Sequence, residues 1–264
     1  MPRVVTFDAG QTLVGLDLDF LARRAAMCDV VVDPARLAAA APAAWRHYDA
    51  LVRAGQLDHA AMWRELVAHM LAGAHATGDV TAAAAWLYDQ QPTANLFRRP
   101  IAPMVALARG LRREGARLAV VSNSEGGVAD LLAEVGIADA FEVIVDSSRV
   151  GVAKPDPRIF DIALEMLGVP DVANFDRSAC IHIGDSWEAD VLGAQAARFR
   201  TIWGRSPLAQ PEAIQLVEIV DRERDALNLL GHVVPQRLQP MRDEVETVPP
   251  GIYDFEGLDT LKLS

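Results

Sequence analysis

Lysine is almost missing from this chain. Lys154 and Lys262 are its only lysines in 264 residues, although Lys and Arg together number 25. With 36 Asp and Glu, the formal net charge is −11. A nucleic-acid partner requires a cationic surface to neutralise phosphates, so that class is set aside. Cysteine is equally scarce. Cys28 and Cys180 stand far apart in sequence, which fits two reduced, buried thiols better than a disulfide framework. No stretch approaches 18 apolar residues without charge, so a membrane span is not expected. The first residues run straight into an apolar segment with no basic region and cleavage site, and a cytoplasmic location is the expectation. What is plentiful is ordinary: 51% hydrophobic and 23% charged residues suit a globular chain with room for one large domain, or a core and a smaller partner.

The hydrophobic pattern has two rhythms. Residues 3–8 (RVVTFD) are continuous, β-branched and apolar, which predicts a short buried strand. Residues 16–97 hold four Ala/Leu-rich segments with helical spacing and no strand-like run. Asp33 before Pro34, Asp58, and Asp79 or Thr81 are placed to cap these helices. From about 98 the pattern alternates. Helices are expected at 101–114, 126–136, 157–167 and 187–197, and strands at 117–123, 141–145, 179–185 and 199–203. Strands separated by helices of this length require right-handed crossovers and a parallel sheet. The expected fold is α/β: a doubly wound, Rossmann-like parallel-sheet core from residues 1–15 and 98–264, with an α-helical bundle cap inserted at 16–97. A helix near 211–230 and an irregular tail complete the reading.

In open parallel sheets ligands bind at the carboxyl ends of the strands, so the residues at those ends matter most. Strand one ends in Asp8. The strand at 117–121 ends in Ser122-Asn123, and the loop before 157 carries Lys154-Pro155-Asp156. The strand at 179–183 ends in Gly184-Asp185, with Asp190 about a turn further on. Asp8 and Asp185 offer the hard oxygen donors that Mg²⁺ prefers. Ser122 and Lys154, with Asn123 beside them, offer donors for the non-bridging oxygens of a phosphoryl group, and Lys154 also offsets repulsion between Asp8 and an anionic substrate. Asp8 is then placed to attack phosphorus as a nucleophile.

The stretches FDAGQTL, VVSNS, KPDPRIF and HIGDSWEAD resemble, in order and spacing, the four motifs of the haloacid dehalogenase superfamily. The resemblance covers residues 1 to about 205, and the helical insert resembles that superfamily's first type of cap. It implies that Asp8 is the nucleophile, Ser122 the phosphate-binding hydroxyl and Lys154 the lysine. It further implies that Asp8, the Gly10 carbonyl and Asp185 hold Mg²⁺, with Asp190 supporting them. In the superfamily's phosphatases the residue two places after the nucleophile is an Asp that serves as general acid and base; here it is Gly10. General acid–base catalysis contributes roughly 10²–10⁴ in rate, so slow turnover is expected.

Three other branches also lack that Asp. The 2-haloacid dehalogenases do not use the metal, whereas Asp185 and Asp190 are both present here. The phosphonatases use a cap lysine, and residues 16–97 contain none. The transport ATPases require a membrane domain. The expectation is a Mg²⁺-dependent hydrolase of the phosphoric monoester class acting on a small phosphorylated metabolite. The alternative is a non-catalytic protein of the same fold that senses phosphate or binds a partner. Glu125, Asp17 and Asp19 are weaker candidates to replace the missing acid. His47, His59, His69 and His75 lack ligand spacing and read as bundle residues, as do Trp45, Trp63 and Trp86.

Overall fold

The computed structural model describes residues 4–54, 58–205 and 215–219. A six-stranded sheet runs in the order β5-β4-β1-β6-β7-β8. Its strands are β1 (Val4–Phe7), β4 (Arg117–Ser122), β5 (Val143–Asp146), β6 (Cys180–Gly184), β7 (Arg200–Arg205) and β8 (Gln215–Ile219). The first five are mutually parallel. β1 lies between β4 and β6, with Phe7 opposite both Val120 and Ile183. The chain therefore moves outward through β4 and β5 on one side of β1 and through β6 and β7 on the other. That reversal makes the carboxyl end of β1 the switch point of a doubly wound fold.

Burial on both faces explains why these strands are so apolar. Val4, Val5 and Phe7 are buried, as are Leu118 to Val121 in β4. α8 (Arg158–Met166) follows the stretch KPDP and packs one face on the sheet. Ile159, Phe160, Ala163 and Leu164 of that face join Val4, Ala119, Val121, Val145 and Phe199 in a single cluster. The spacing i, i+1, i+4, i+5 is what an amphipathic helix needs to bury such a stripe. α5 (Ala102–Arg113) and α6 (Val128–Glu134) complete the alternation, and α7 (Ser147–Val150) is a single turn where a loop is expected.

The chain divides into two compact units, the second built on Gly15–Arg99. In that unit α1 (Leu18–Ala26), α2 (Pro34–Ala54), α3 (His59–Gly73) and α4 (Val80–Asp89) surround their own core of Leu21, Leu37, Trp63, Leu66, Met70, Leu71 and Leu87. Trp45 and Trp86 pack against it. The carboxylates of Asp33, Asp58 and Asp79 each accept a backbone N–H of the following helix, from Ala35, Ala61 and Ala82. The short strands β2 (Val14–Leu16) and β3 (Phe97–Pro100), at the two ends of this segment, pair as a two-stranded sheet.

Two expectations are corrected. Within the helix expected near 211–230, residues 215–219 are the strand β8, antiparallel to β7 with Thr201 opposite Ile219. An edge strand presents a row of free backbone N–H and C=O groups, and pairing with it outweighs a weak helical period. The rest of 206–264 lies outside the described residues. The helix expected over 187–197 is two pieces. Trp187–Leu192 is a π-turn, in which the Ser186 carbonyl accepts from both Asp190 and Val191, and it runs into α9 (Gly193–Ala196).

Candidate active site

Asp8 is the first residue beyond β1, and its N–H still donates to the Ile183 carbonyl at 2.8 Å, so the parallel ladder fixes where its carboxylate starts. Asp185 stands one residue beyond the end of the neighbouring strand β6. Carboxylate oxygens of Asp8, Asp185 and Asp190 all lie within 4.8 Å of one another. Three acids so close repel one another unless a cation or a proton lies among them. Lys154 Nζ supplies the cation, 2.6 Å from Asp8 Oδ1 and 2.5 Å from Asp190 Oδ1, with its side chain almost wholly buried.

The protonation states follow from burial and charge. Burial pushes the Asp8 carboxyl up to about 6 against the pull of Lys154, with Asp190 adding to the rise. Asp185 is raised well above the usual carboxylate range, first by burial and then by the charges of Asp8 and Asp190. Burial works in the same direction on Asp190, but Lys154 and a hydrogen bond from His182 more than offset it and hold the carboxyl below its ordinary value. Burial disfavours the Lys154 ammonium, yet Asp190 and Asp8 together raise its proton affinity above normal. The site is therefore a fixed ammonium between two carboxylates, with a third carboxyl whose ionisation is opposed by its neighbours.

Each group is held from behind. Asn123, at the end of β4, accepts the Lys154 N–H on Oδ1 at 2.8 Å and donates from Nδ2 to the Lys154 carbonyl at 2.9 Å. Its amide is thus occupied in aiming the lysine. Asp190 Oδ2 accepts the Ser186 N–H at 2.8 Å, a contact that the π-turn brings into reach. A Cβ on Gly184 would lie 2.3 Å from Asp190 Cγ, so only glycine lets Asp190 fold back over the strand end. Gly193 has a similar role, since a Cβ there would meet Pro155 Cα at 2.9 Å. Trp203 Nε1 donates to the Asp185 carbonyl at 2.7 Å, and Trp187 packs edge-on against that indole. Ser122 is buried at the end of β4, opposite Asp146 of β5.

Among the described residues, this trio is the one place where three His, Cys or acidic side chains come close enough to share an ion. The donor set fits Mg²⁺: oxygen ligands only, and Asp185 lies outside both ion pairs that Lys154 makes. Of the candidate replacements for the missing acid, Asp17 is the N-cap of α1, accepting from the Phe20 N–H at 2.8 Å. In the helical unit His47 and His69 stack at 4.4 Å, and His47 Nε2 is 3.9 Å from Glu65.

His182 and Thr6 belong to the site although neither stands at a strand end. His182 sits mid-strand in β6 with 1% exposure, and its Nε2 is 3.1 Å from Asp190 Oδ1. Thr6 Oγ1 lies 2.8 Å from the other ring nitrogen, Nδ1. A signal was present: an ionisable ring in the otherwise apolar run CIHIG must find polar partners inside the fold.

A profile described as haloacid dehalogenase-like hydrolase matches residues 2–198, and the chain belongs to that family. A haloacid dehalogenase-like hydrolase domain-containing protein 3 from Bos taurus is 35% identical over 130 residues, covering 49% of this chain and 48% of that protein. The pyrimidine 5'-nucleotidase YjjG of Escherichia coli is 36% identical over 117 residues, 44% of this chain and 49% of the enzyme. The chain thus spans about half the length of the curated relatives it matches, phosphatases among them. The crystal structure of the HAD-hydrolase YfnB from Bacillus subtilis, bound to magnesium, shares the fold. Its TM-score is 0.55 at 21% identity, over 76% of this chain and 86% of that one. Among the described residues no helix is long and apolar enough to cross a membrane.

Proposed function

We propose that this chain is a Mg²⁺-dependent, phosphatase-like hydrolase that acts on a small phosphorylated metabolite through an aspartyl-phosphate on Asp8, and that its turnover is slow. One observation carries the reading: a buried ammonium, Lys154, 2.6 Å from a strand-end carboxylate, with Asp185 beside it at the next strand end. The nucleotidase among the relatives supports a phosphate ester as substrate.

In this reading an Asp8 carboxylate oxygen bonds to phosphorus as the ester P–O bond breaks. The leaving oxygen takes its proton from water, because Gly10 has no side chain to give one. Water then releases phosphate and regenerates the carboxylate. Lys154 stays charged throughout and offsets the repulsion between Asp8 and the phosphoryl oxygens, while the Ser122 hydroxyl donates to one of those oxygens. Asp8, the Gly10 carbonyl and Asp185 would hold Mg²⁺, with Asp190 supporting them from the far side of Lys154. When bound, the ion neutralises charge on the phosphoryl oxygens. Residues 16–97 act as the cap that excludes water and selects the metabolite.

Gly10 itself favours a second reading, a protein that keeps the site but senses phosphate or a partner instead of turning over. A panel of phosphorylated metabolites, assayed with Mg²⁺ beside Asp8→Asn, separates the two. Turnover that Asp8→Asn abolishes supports the enzyme. No turnover and no phosphorylated Asp8 on any substrate contradicts it and leaves the second reading.

A further inference from the structure

A line of hydrogen bonds runs behind the strand ends, from Thr6 through His182 and Asp190 to Lys154 and Asp8. Asp190 Oδ1 is its junction, taking the Lys154 ammonium at 2.5 Å and lying 3.1 Å from His182 Nε2. We propose that His182 is a positioning residue, held as the neutral Nε2–H tautomer by Thr6, and that it orients the Asp190 carboxylate so that Lys154 is aimed at Asp8. This rests on the reading of Asp8 as nucleophile for its catalytic consequence, but not for its geometry.

The tautomer follows from the partners. Asp190 is ionised and can only accept, so Nε2 carries the proton that faces it. On the other side, the Thr6 hydroxyl has two acceptors in reach: Nδ1 at 2.8 Å and the Ile181 carbonyl at 3.4 Å. The shorter contact sends its proton to Nδ1, which must then be bare. A second proton on the ring would place a buried cation beside Lys154, and burial holds the ring's proton affinity below normal. The Phe160 ring packs edge-on at 5.0 Å and closes the remaining side with apolar surface. Without the His182 proton, Oδ1 keeps only the lysine, and Asp190 is restrained by Ser186 on Oδ2 alone. The Asp190 counter-charge on which Lys154 is aimed is then held less firmly, although Asp8 and Asn123 still contact the lysine.

The scarcity of lysine makes the test clean. Lys154 and Lys262 are the two lysines of this sequence, so mass spectrometry after an amine-acylating reagent reads Lys154 with little interference. In the wild type Lys154 is expected to be strongly protected relative to the same lysine in the denatured chain. His182→Leu keeps the volume but not the donor, and should raise Lys154 labelling at least several-fold. His182→Gln, whose amide reaches the place of Nε2, should restore protection. Leu118→Ala, a core change elsewhere in the sheet, controls for general loosening. With a turned-over substrate, His182→Leu should lower kcat about tenfold or more with little change in KM, and His182→Gln should recover most of it. Long-range ¹⁵N–¹H spectra of the wild type should show the neutral Nε2–H tautomer at neutral pH, and Thr6→Val should disturb it. An Nδ1–H or doubly protonated ring in the wild type overturns the proposal. So does equal Lys154 labelling in His182→Leu and His182→Gln. Labelling and spectra need no substrate, so a failure of the phosphatase reading would not be mistaken for a failure of this one.

Discussion

Asn123 clasps the backbone of Lys154 from both sides, accepting its N–H at 2.8 Å and donating to its carbonyl at 2.9 Å across 31 residues of sequence. The lysine that neutralises the site is therefore delivered by the end of β4, not by its own loop alone. Asn123→Ala removes both bonds and leaves two backbone groups without partners. Unfolding in denaturant should show a loss of about 1–3 kcal/mol, and any turnover should fall with it. Asn123→Asp, which keeps the acceptor, should lose less.

Lys154→Met replaces a buried cation with an apolar chain of similar length. Asp8, Asp185 and Asp190 then face one another within 4.8 Å with no ammonium between them. Removing one partner of a buried ion pair costs about 3–5 kcal/mol. Thermal unfolding should show that loss at neutral pH, with partial recovery on acidification or on adding Mg²⁺.

Gly184→Ala tests the approach of Asp190 to the strand end. A methyl group there overlaps the Asp190 side chain at 2.3–2.6 Å, so the carboxylate must swing off Lys154 and Ser186. Overpacking of this kind costs about 1–3 kcal/mol. Lys154 labelling should rise as it does in His182→Leu. Gly10→Ala, where an added Cβ meets nothing within 4 Å, should leave stability nearly unchanged.

Stability should depend on pH in a definite direction. The unfolded chain loses the Asp8 proton near 3.8, whereas burial keeps it on the folded protein until about 6. Between those values the folded state binds more protons than the unfolded, so without divalent ions stability falls as pH rises through about 4–6. Asp190, held below its ordinary value, acts oppositely but only in more acidic solution. The melting temperature of the wild type relative to Asp8→Asn should therefore decline across that window. Stabilisation by Mg²⁺ should be larger at pH 7.5 than at pH 5, because binding displaces protons from Asp8 and Asp185. A difference between the two proteins that does not change with pH would contradict this.

How much of this was legible in the sequence can be argued from single residues. Asp8 and Asp185 are legible as candidates because each follows directly on an apolar run, a local property; Lys154 stands out as one of two lysines, and Asp190 only by its spacing about a turn beyond Asp185. His182 was not singled out, although its oddity in CIHIG was visible, because its meaning depends on Asp190 and Thr6 arriving from other elements. Asn123 is legible as a polar residue beside Ser122 at the strand end, but the partner its amide holds, the Lys154 backbone, is set by sheet order. β8 was missed because five residues of mixed polarity carry no period strong enough to compete with an open sheet edge. The π-turn at Trp187–Leu192 differs from an ordinary helix by one hydrogen-bond step, a difference dictated by packing around Asp190 rather than by composition.

Gly10→Asp should speed any turnover by about 10²–10⁴, the usual worth of a general acid–base group, since the space beside Gly10 is open to a side chain. If the rate does not rise, proton transfer is not what limits the wild type.

The central claim is that Asp8 becomes phosphorylated. Its direct test is to incubate the wild-type protein with Mg²⁺ and a phosphorylated metabolite or acyl phosphate, quench in acid, and sequence the peptide containing Asp8 by mass spectrometry. Slow release of the intermediate predicts one phosphoryl group on Asp8, absent in Asp8→Asn and short-lived in Gly10→Asp. An unmodified Asp8 under conditions where phosphate is released, or a phosphoryl group on any other residue, would contradict the account.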